Sequence, residues 1–308
     1  MSSGTGAGKR PRGLLADSAV RLVREKPLGT VGAAITLVFL LMAVFADVLA
    51  PYGMNEGTPT NLTPPSAEFW LGTDELGRDV FSRVVIGARI SMGMGLAASA
   101  VSIVISVAIG LVSGYVGGKF DIIAQRFVDA WMSLPGLIWM MVVLSIVGRG
   151  VVPIVVVLSL VLGVGGSRII RGAVISAKEN VYVAAALAIG SRTDRVLFRH
   201  IVPGIMAPII MLFSVRVPDA ILIEAALSFL GFGMPPPYPS WGSMLSGSAR
   251  QYMFVAPWMA LWPGVALALV VYGVNIFGDA LRDILDPRMR GGSGRFGVRA
   301  KKLSGKRR

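Results

Sequence analysis

The chain of 308 residues contains no cysteine, a single histidine (His200) and only 15% charged residues. Without cysteine there is no disulfide framework, thiol nucleophile or thiolate metal site. One histidine leaves little scope for imidazole-based metal or acid–base chemistry. Soluble domains carry about 25% charged residues, so the composition excludes a typical soluble enzyme. The hydrophobic content of 54% also excludes a disordered chain, which requires low hydrophobicity.

The motifs of nucleotide hydrolysis and metal catalysis are missing as well. The nearest candidate for a phosphate-binding loop is Gly118-Lys119, but Phe120 follows where Ser or Thr is required, and Ser113 occupies the place of the first glycine. No His-Glu-x-x-His metal motif occurs. The sequence therefore predicts no catalytic residue, no metal site and no directly bound cofactor in this chain.

Long uncharged apolar runs dominate what is present. About 20 apolar residues cross a bilayer as one helix. The six candidate runs cover residues 28–50, 90–116, 130–147, 151–167, 201–232 and the uncharged stretch between residues 250 and 279. The fifth run is the least regular, because it contains Arg216, Asp219 and Glu224. We therefore predict an all-α polytopic membrane protein with six transmembrane helices.

The net charge of +13 is unevenly distributed along these runs. If there are six spans, 24 of the 30 Lys and Arg residues fall on one side, which the positive-inside rule identifies as cytoplasmic. Both termini are then cytoplasmic, and the charge reflects membrane orientation rather than nucleic-acid binding. This orientation divides the chain into a basic tail (1–27), a first transmembrane helix (28–50), an extracytoplasmic loop (51–89), a membrane core (90–290) and a second basic tail (291–308).

Small residues predict close helix contacts within the spans, and prolines predict kinks. Gly110, Gly114 and Gly118 recur at four-residue spacing, which lets two helix backbones approach closely. Proline removes a backbone donor inside a helix and kinks or breaks it. Such kinks are expected at Pro135, Pro208, Pro218 and Pro263.

The loop at residues 178–203, between the fourth and fifth runs, carries the most informative pattern. Residues 178–189 favour a helix that Gly190 ends in a left-handed turn. The alanines 184–186, Gly190 and the closing residues 200–203 resemble the coupling loop of the permease subunits of ATP-binding-cassette importers. That loop carries Glu-Ala-Ala, a glycine after three further residues, and Leu-Pro at its end. Here Ala184 stands where the family has Glu and Val202 where it commonly has Leu, which removes any salt bridge from position 184.

Three further blocks are similar to the dipeptide, oligopeptide and nickel branch of that family, and to its second permease in particular. The resemblance covers residues 28–290 and implies the permease fold of type I importers. The blocks are Leu71–Arg83 running on to Ser91, the segments 227–233 and 236–242, and the ending 275–288 with its Asp286-Pro287-Arg288.

The resemblance also implies partners and a function. The chain is expected to pair with a second, homologous permease in the plasma membrane of a prokaryote. Two ATPase subunits that use ATP and Mg²⁺ would dock below, and an extracytoplasmic binding protein would deliver di- or oligopeptides. A nickel, metal-chelate or glutathione importer is the alternative. The loop residues that would contact the ATPase are Ala184, Ala185, Ala186, Gly190, Arg192, Asp194, Arg199, His200 and Pro203.

Two groups of charged residues each have two alternative roles. Arg216, Asp219 and Glu224 are candidate residues of the substrate pathway, and Arg216 and Asp219 share one helix face, where they can pair. Glu224 either lines the substrate pathway or contacts the partner permease, since charges inside a membrane usually face a partner or a watery cavity. In the outer segment, four charged residues either contact the binding protein or form an internal Arg–Asp clamp before the second span. They are Asp74, Arg78, Asp79 and Arg83.

A chain with six membrane spans is also compatible with a secondary transporter or a channel subunit. A gradient-driven secondary transporter would be expected to show internal repeats, but residues 28–150 and 151–290 have no convincing similarity to each other. A channel subunit would need no energy-coupling loop. Both are therefore less favoured than an importer permease.

Overall fold

The computed structural model describes residues 22–285, and every regular secondary-structure element in this part of the chain is helical. The predicted tail 291–308 and most of the tail 1–27 lie outside it. A helical turn at residues 22–25 precedes the named helices. These are α1 Pro27–Val44, α2 Ala46–Leu49, α3 Val80–Val116, α4 Gly118–Met132, α5 Gly136–Val147, α6 Val151–Lys178, α7 Val181–Ala188, α8 Thr193–Val196, α9 Val202–Gly204, α10 Met206–Phe229, α11 Trp241–Leu245, α12 Ser248–Gln251 and α13 Trp258–Leu285, with a π-helical turn Leu197–Ile201 between α8 and α9.

Among residues 22–285, five helices are long and apolar enough to cross a membrane, namely α1, α3, α6, α10 and α13. The kink predicted at Pro135, inside the third run at 130–147, is confirmed. That segment contains a bend of 85° between α4 and α5, at Pro135, which has no amide hydrogen and keeps Leu134 away from helical geometry. Counting the bent pair as one span gives six.

The other prolines do not break their helices. Pro208 lies in the first turn of α10, where the missing amide costs nothing. Pro218 and Pro263 lie inside α10 and α13, and both helices continue past them. In the part of the chain that the structure describes, α10 and α13 therefore stay continuous at their prolines, whereas the helix is interrupted at Pro135.

The α3–α6 pair forms the centre of the described chain, and small residues hold its two backbones close together. A Cβ at Gly110 would lie 2.7 Å from the Ser167 carbonyl oxygen, and one at Gly114 would lie 3.0 Å from the Arg171 carbonyl oxygen. The predicted close approach is thus confirmed at these two positions. It is wrong at Gly118, which begins α4 with φ +58° and has open space beside it.

Serine hydroxyls add hydrogen bonds across the same interface. Ser106 Oγ donates to the Gly163 carbonyl at 2.8 Å, and Ser159 Oγ donates to the Ala98 carbonyl at 3.1 Å. Hydrogen bonds between membrane helices contribute about 0.6 kcal/mol each. Close packing rather than polar contact therefore supplies most of the stability of this pair.

Ion pairs attach the segment formed by α1 and α2 to the rest of the chain at both of its ends. Lys26 Nζ lies 2.6 Å from an Asp283 carboxylate oxygen, just before α1 and near the end of α13. At the other end Arg89 of α3 binds both carboxylate oxygens of Asp47 at 3.0 Å and donates to the Ala43 carbonyl. Arg89 thereby satisfies one of the carbonyls that a helix end leaves without a partner.

Candidate coupling loop and charged sites

The loop 178–203 begins with a short helix that is closed by a glycine. α6 runs to Lys178, so the helix predicted over 178–189 begins later, at Val181. Gly190 has φ +76°, its amide donates to the Leu187 carbonyl, and the Ser191 amide donates to the Ala186 carbonyl. These two hydrogen bonds form a Schellman motif, which requires a left-handed residue and therefore favours glycine.

Buried apolar residues fix this loop to the membrane helices. Val183, Val196 and Ile201 have no exposed surface. They pack in one cluster with Ile170 and Val174 of α6, while Leu111 of α3 and Leu212 of α10 belong to the same cluster. The loop is therefore a packed unit continuous with three membrane helices, not a mobile connection.

The opposite side of the loop exposes large apolar side chains, which we call the loop face. Val181 is 84% exposed, Ile189 82% and Phe198 70%. The loop also carries three exposed basic side chains, Arg192, Arg195 and Arg199. Large exposed apolar side chains together with charged ones are typical of a protein–protein contact.

The predicted contact residues divide between the two sides of the loop. Ala184 and Ala185 are exposed, whereas Ala186 is buried against the membrane helices. Arg192 and Asp194 are both exposed and form a salt bridge of 3.4 Å with each other. The His200 ring is half-buried and lies 6.5 Å from the Tyr182 ring. Pro203 lies in α9, beyond the π-helical turn.

Sequence reasoning missed the residues of the loop face itself. Val181, Ile189 and Phe198 are three of many apolar residues in the segment 178–203, so their residue type does not distinguish them from the buried ones. A helical projection of α7 would have separated the buried Val183 from the exposed Val181, but it places the exposed Leu187 on the same side as Val183. Helical periodicity alone therefore could not have identified the loop face.

The two charged residues expected to pair in the fifth span do so. Arg216 Nη1 lies 3.5 Å from an Asp219 carboxylate oxygen. The Arg216 side chain is 18% exposed and that of Asp219 is 44% exposed. Of the two, Asp219 is the residue that the rest of the described chain leaves open to a partner or a pathway.

Neither of the expected environments of Glu224 is found. The side chain is completely buried inside the chain, where Ser228 Oγ donates to its Oε1 at 2.6 Å. Ser240 Oγ in turn donates to Ser228 Oγ. In this conformation Glu224 therefore contacts neither a pathway nor a partner surface. It joins α10 to the segment that leads into α11.

The outer charged residues form a cluster around Asp74. One of its carboxylate oxygens accepts from Arg78 Nε at 2.6 Å and lies 3.6 Å from Arg83 Nε. The other accepts from the backbone amides of Leu76 and Arg78. The side chains of Asp74, Arg78 and Arg83 are no more than 15% exposed, so the cluster is largely closed to an external partner.

Asp79 does not belong to this cluster. Its Oδ2 accepts from the Ser82 amide at 2.8 Å, and Asp79 thereby caps the start of α3. Ser82 Oγ also accepts from the Tyr52 amide, so the cap ties the loop after α2 to α3. The structure thus separates the four predicted residues into an ion cluster of three and a helix cap.

Asp74→Ala is expected to destabilise the chain by about 3 kcal/mol, because it removes the nearest counter-charge of the buried Arg83 and leaves Arg78 with only Glu75, at 3.6 Å. The matched control is Glu68→Ala, since Glu68 is exposed on the same outer segment. The measurement is the thermal midpoint of the purified permease in detergent. Equal midpoints for the two variants would show that the cluster contributes nothing to stability.

Comparison with known proteins agrees with this geometry. Residues 106–291 match the family described as binding-protein-dependent transport system inner membrane component, and residues 15–65 match the N-terminal transmembrane domain of oligopeptide transport permease C. The permease of the methionine transporter MetNI, solved in inward-facing conformations, superposes with a TM-score of 0.54 at 16% identity over 66% of this chain and 96% of its own, which supports the fold.

Three curated relatives are similar over most of the chain. The dipeptide transport permease DppC of Alkalihalophilus pseudofirmus is 39% identical over 88% of this chain and 90% of its own. The oligopeptide permease OppC of Bacillus subtilis is 37% identical over 92% of both chains. The glutathione permease GsiD of Pectobacterium atrosepticum is 38% identical over 82% of this chain and 85% of its own. The chain therefore belongs to the binding-protein-dependent transport system inner membrane components, as a permease subunit of the branch that contains the dipeptide and oligopeptide permeases.

Proposed function

We propose that this chain is one of two permease subunits of an ATP-driven importer of di- and oligopeptides in a prokaryotic plasma membrane. A second permease completes the pathway, a binding protein delivers the peptide outside, and two ATPase subunits consume ATP and Mg²⁺ inside. The names of the relatives support the substrate class. The observation that carries the proposal is the loop face, an exposed apolar patch on a loop that is packed onto the membrane helices.

This packing suits the loop for transmitting a movement. Val183 and Ile201 are buried against residues of α6, and Leu212 extends the same cluster into α10. Closely packed interiors pass on a displacement rather than absorb it. A shift that the ATPase imposes on the loop face therefore reaches α6 and α10 and biases the membrane domain between two conformations.

The mechanism requires the loop to be cytoplasmic, and with a cytoplasmic N-terminus this requires six spans. We propose that α4 and α5 together form the third span despite their bend. The location of 24 of the 30 Lys and Arg residues on one side supports this topology. If α4 and α5 instead entered and left on the same side, α6 would cross in the opposite direction and the loop face would lie outside the cell. The domain boundaries predicted from sequence rest on the same topology.

Glutathione is the second candidate substrate, because a glutathione permease is about as similar as the peptide permeases. The test uses proteoliposomes that contain this chain, its partner permease, the ATPase subunits and the binding protein. We expect ATP-dependent uptake of a radiolabelled dipeptide, with no uptake when ATP is replaced by a non-hydrolysable analogue. Accumulation of glutathione but not of peptides would show that glutathione, and not a peptide, is the substrate. Accumulation without ATP hydrolysis would overturn the proposal and indicate a gradient-driven transporter or a channel.

A further inference from the structure

Arg149 occupies an unusual place in the chain. It is the one charged residue in the sequence between Asp129 and Arg168. It lies in the short turn that joins α5 to α6, between Gly148 with φ +97° and Gly150 with φ +155°. In the six-span topology this turn faces outward, where Arg and Lys are less frequent than on the cytoplasmic side. Membrane orientation therefore does not explain this charge.

The Arg149 guanidinium is held in position but not neutralised. Its Nη1 donates to the Gly231 carbonyl oxygen at 2.9 Å, which links the turn to the segment after α10. Among residues 22–285 Arg149 forms no salt bridge. The side chain is exposed. A fixed guanidinium with free N–H donors is the group best suited to bind a carboxylate.

A cavity of about 570 Å³ opens beside this guanidinium. This size lies within the range of small-molecule sites. Its remaining surface is largely apolar, apart from one serine hydroxyl. The residues that line it are Leu144, Ser145, Gly148, Arg149, Phe232 and Pro235.

We infer that Arg149 and this cavity form an entry subsite that binds the C-terminal carboxylate of the transported peptide, with apolar side chains of the peptide against Phe232 and Pro235. This inference rests on the proposed function. Every di- or oligopeptide has a terminal carboxylate, whereas its side chains vary. A single cation beside an apolar wall therefore accepts peptides of many sequences.

The test separates the charge of Arg149 from its hydrogen bond to Gly231. Arg149→Lys keeps the charge, Arg149→Gln keeps a hydrogen-bond donor without charge, and Arg149→Glu reverses the charge. Dipeptide uptake by the reconstituted complex is measured at increasing concentrations of loaded binding protein. Arg250→Gln is the matched control, because Arg250 is exposed and lies outside the cavity lining.

We expect the maximal uptake rate to follow the charge at position 149. Lys retains most of the rate, Gln lowers it about tenfold, as for the loss of one charge-assisted hydrogen bond, and Glu lowers it further. The control keeps the wild-type rate. Equal rates for Lys and Gln would assign Arg149 a purely structural role. A loss that disappears at saturating binding protein would make Arg149 a contact with that protein; either result overturns the subsite. Failure of the wild-type complex to take up peptide would instead refute the proposed function.

Discussion

Gly190→Val is expected to uncouple ATP hydrolysis from transport. Gly190 has φ +76° and ends α7 in a Schellman motif. A non-glycine residue in this conformation costs about 1–2 kcal/mol, and a β-branched one is more strained still. We expect this strain to displace the loop face relative to α7. Peptide uptake should fall about tenfold, as expected when about 1.4 kcal/mol of coupling is lost, while the ATPase subunits continue to hydrolyse ATP.

The control for this variant is Gly172→Val. Gly172 lies inside α6, is exposed and has no heavy atom within 4 Å of an added Cβ. It receives the same side chain without the left-handed backbone. The ratio of peptide transported to ATP hydrolysed is measured for both variants. An unchanged ratio for Gly190→Val would show that the end of α7 does not transmit force.

Gly110→Leu is expected to have the largest effect on stability. An added Cβ would lie 2.7 Å from the Ser167 carbonyl oxygen and 2.8 Å from the Arg171 amide nitrogen, and both atoms belong to the backbone of α6. Backbone cannot move aside as a side chain can, so α3 and α6 must separate. Overpacking by single methylenes costs about 1–3 kcal/mol, and a full leucine side chain should therefore cost about 3 kcal/mol or more.

The matched control is Gly93→Leu in the same helix. Gly93 is exposed and has no heavy atom within 4 Å of an added Cβ. At about 2–4 °C per kcal/mol for a domain of this size, Gly110→Leu should lower the melting temperature by about 6 °C or more, whereas Gly93→Leu should leave it almost unchanged. If both variants had the same melting temperature, the close contact between α3 and α6 at Gly110 would not contribute to stability as we propose.

The sequence predicted those parts of the fold that depend on local pattern. The helical class, the close approach at Gly110 and Gly114, and the turn at Gly190 all follow from spacing along one chain segment. The local sequence predicted a kink at Pro135 but not its angle of 85°. Gly118 shows the same limit, since the spacing continues past the end of α3 although the helix does not.

The surroundings of the charged residues could not be read from the sequence. Glu224 is buried by Ser228 one turn away and by Ser240, which lies beyond a loop. Asp74 is surrounded by backbone amides that only the folded outer segment brings together. Both environments arise from tertiary contacts, and no periodicity encodes them.

A single cysteine at position 189 tests the central claim, that the loop face is a cytoplasmic docking surface for the ATPase. The chain has no cysteine of its own, and Ile189 is 82% exposed, so Ile189→Cys provides a unique accessible thiol. In intact cells we expect no labelling by a membrane-impermeant maleimide, labelling after permeabilisation of a strain without the ATPase subunits, and crosslinking to an ATPase subunit in the assembled complex. Labelling from outside intact cells, or an assembled complex in which position 189 crosslinks to no ATPase, would contradict the account.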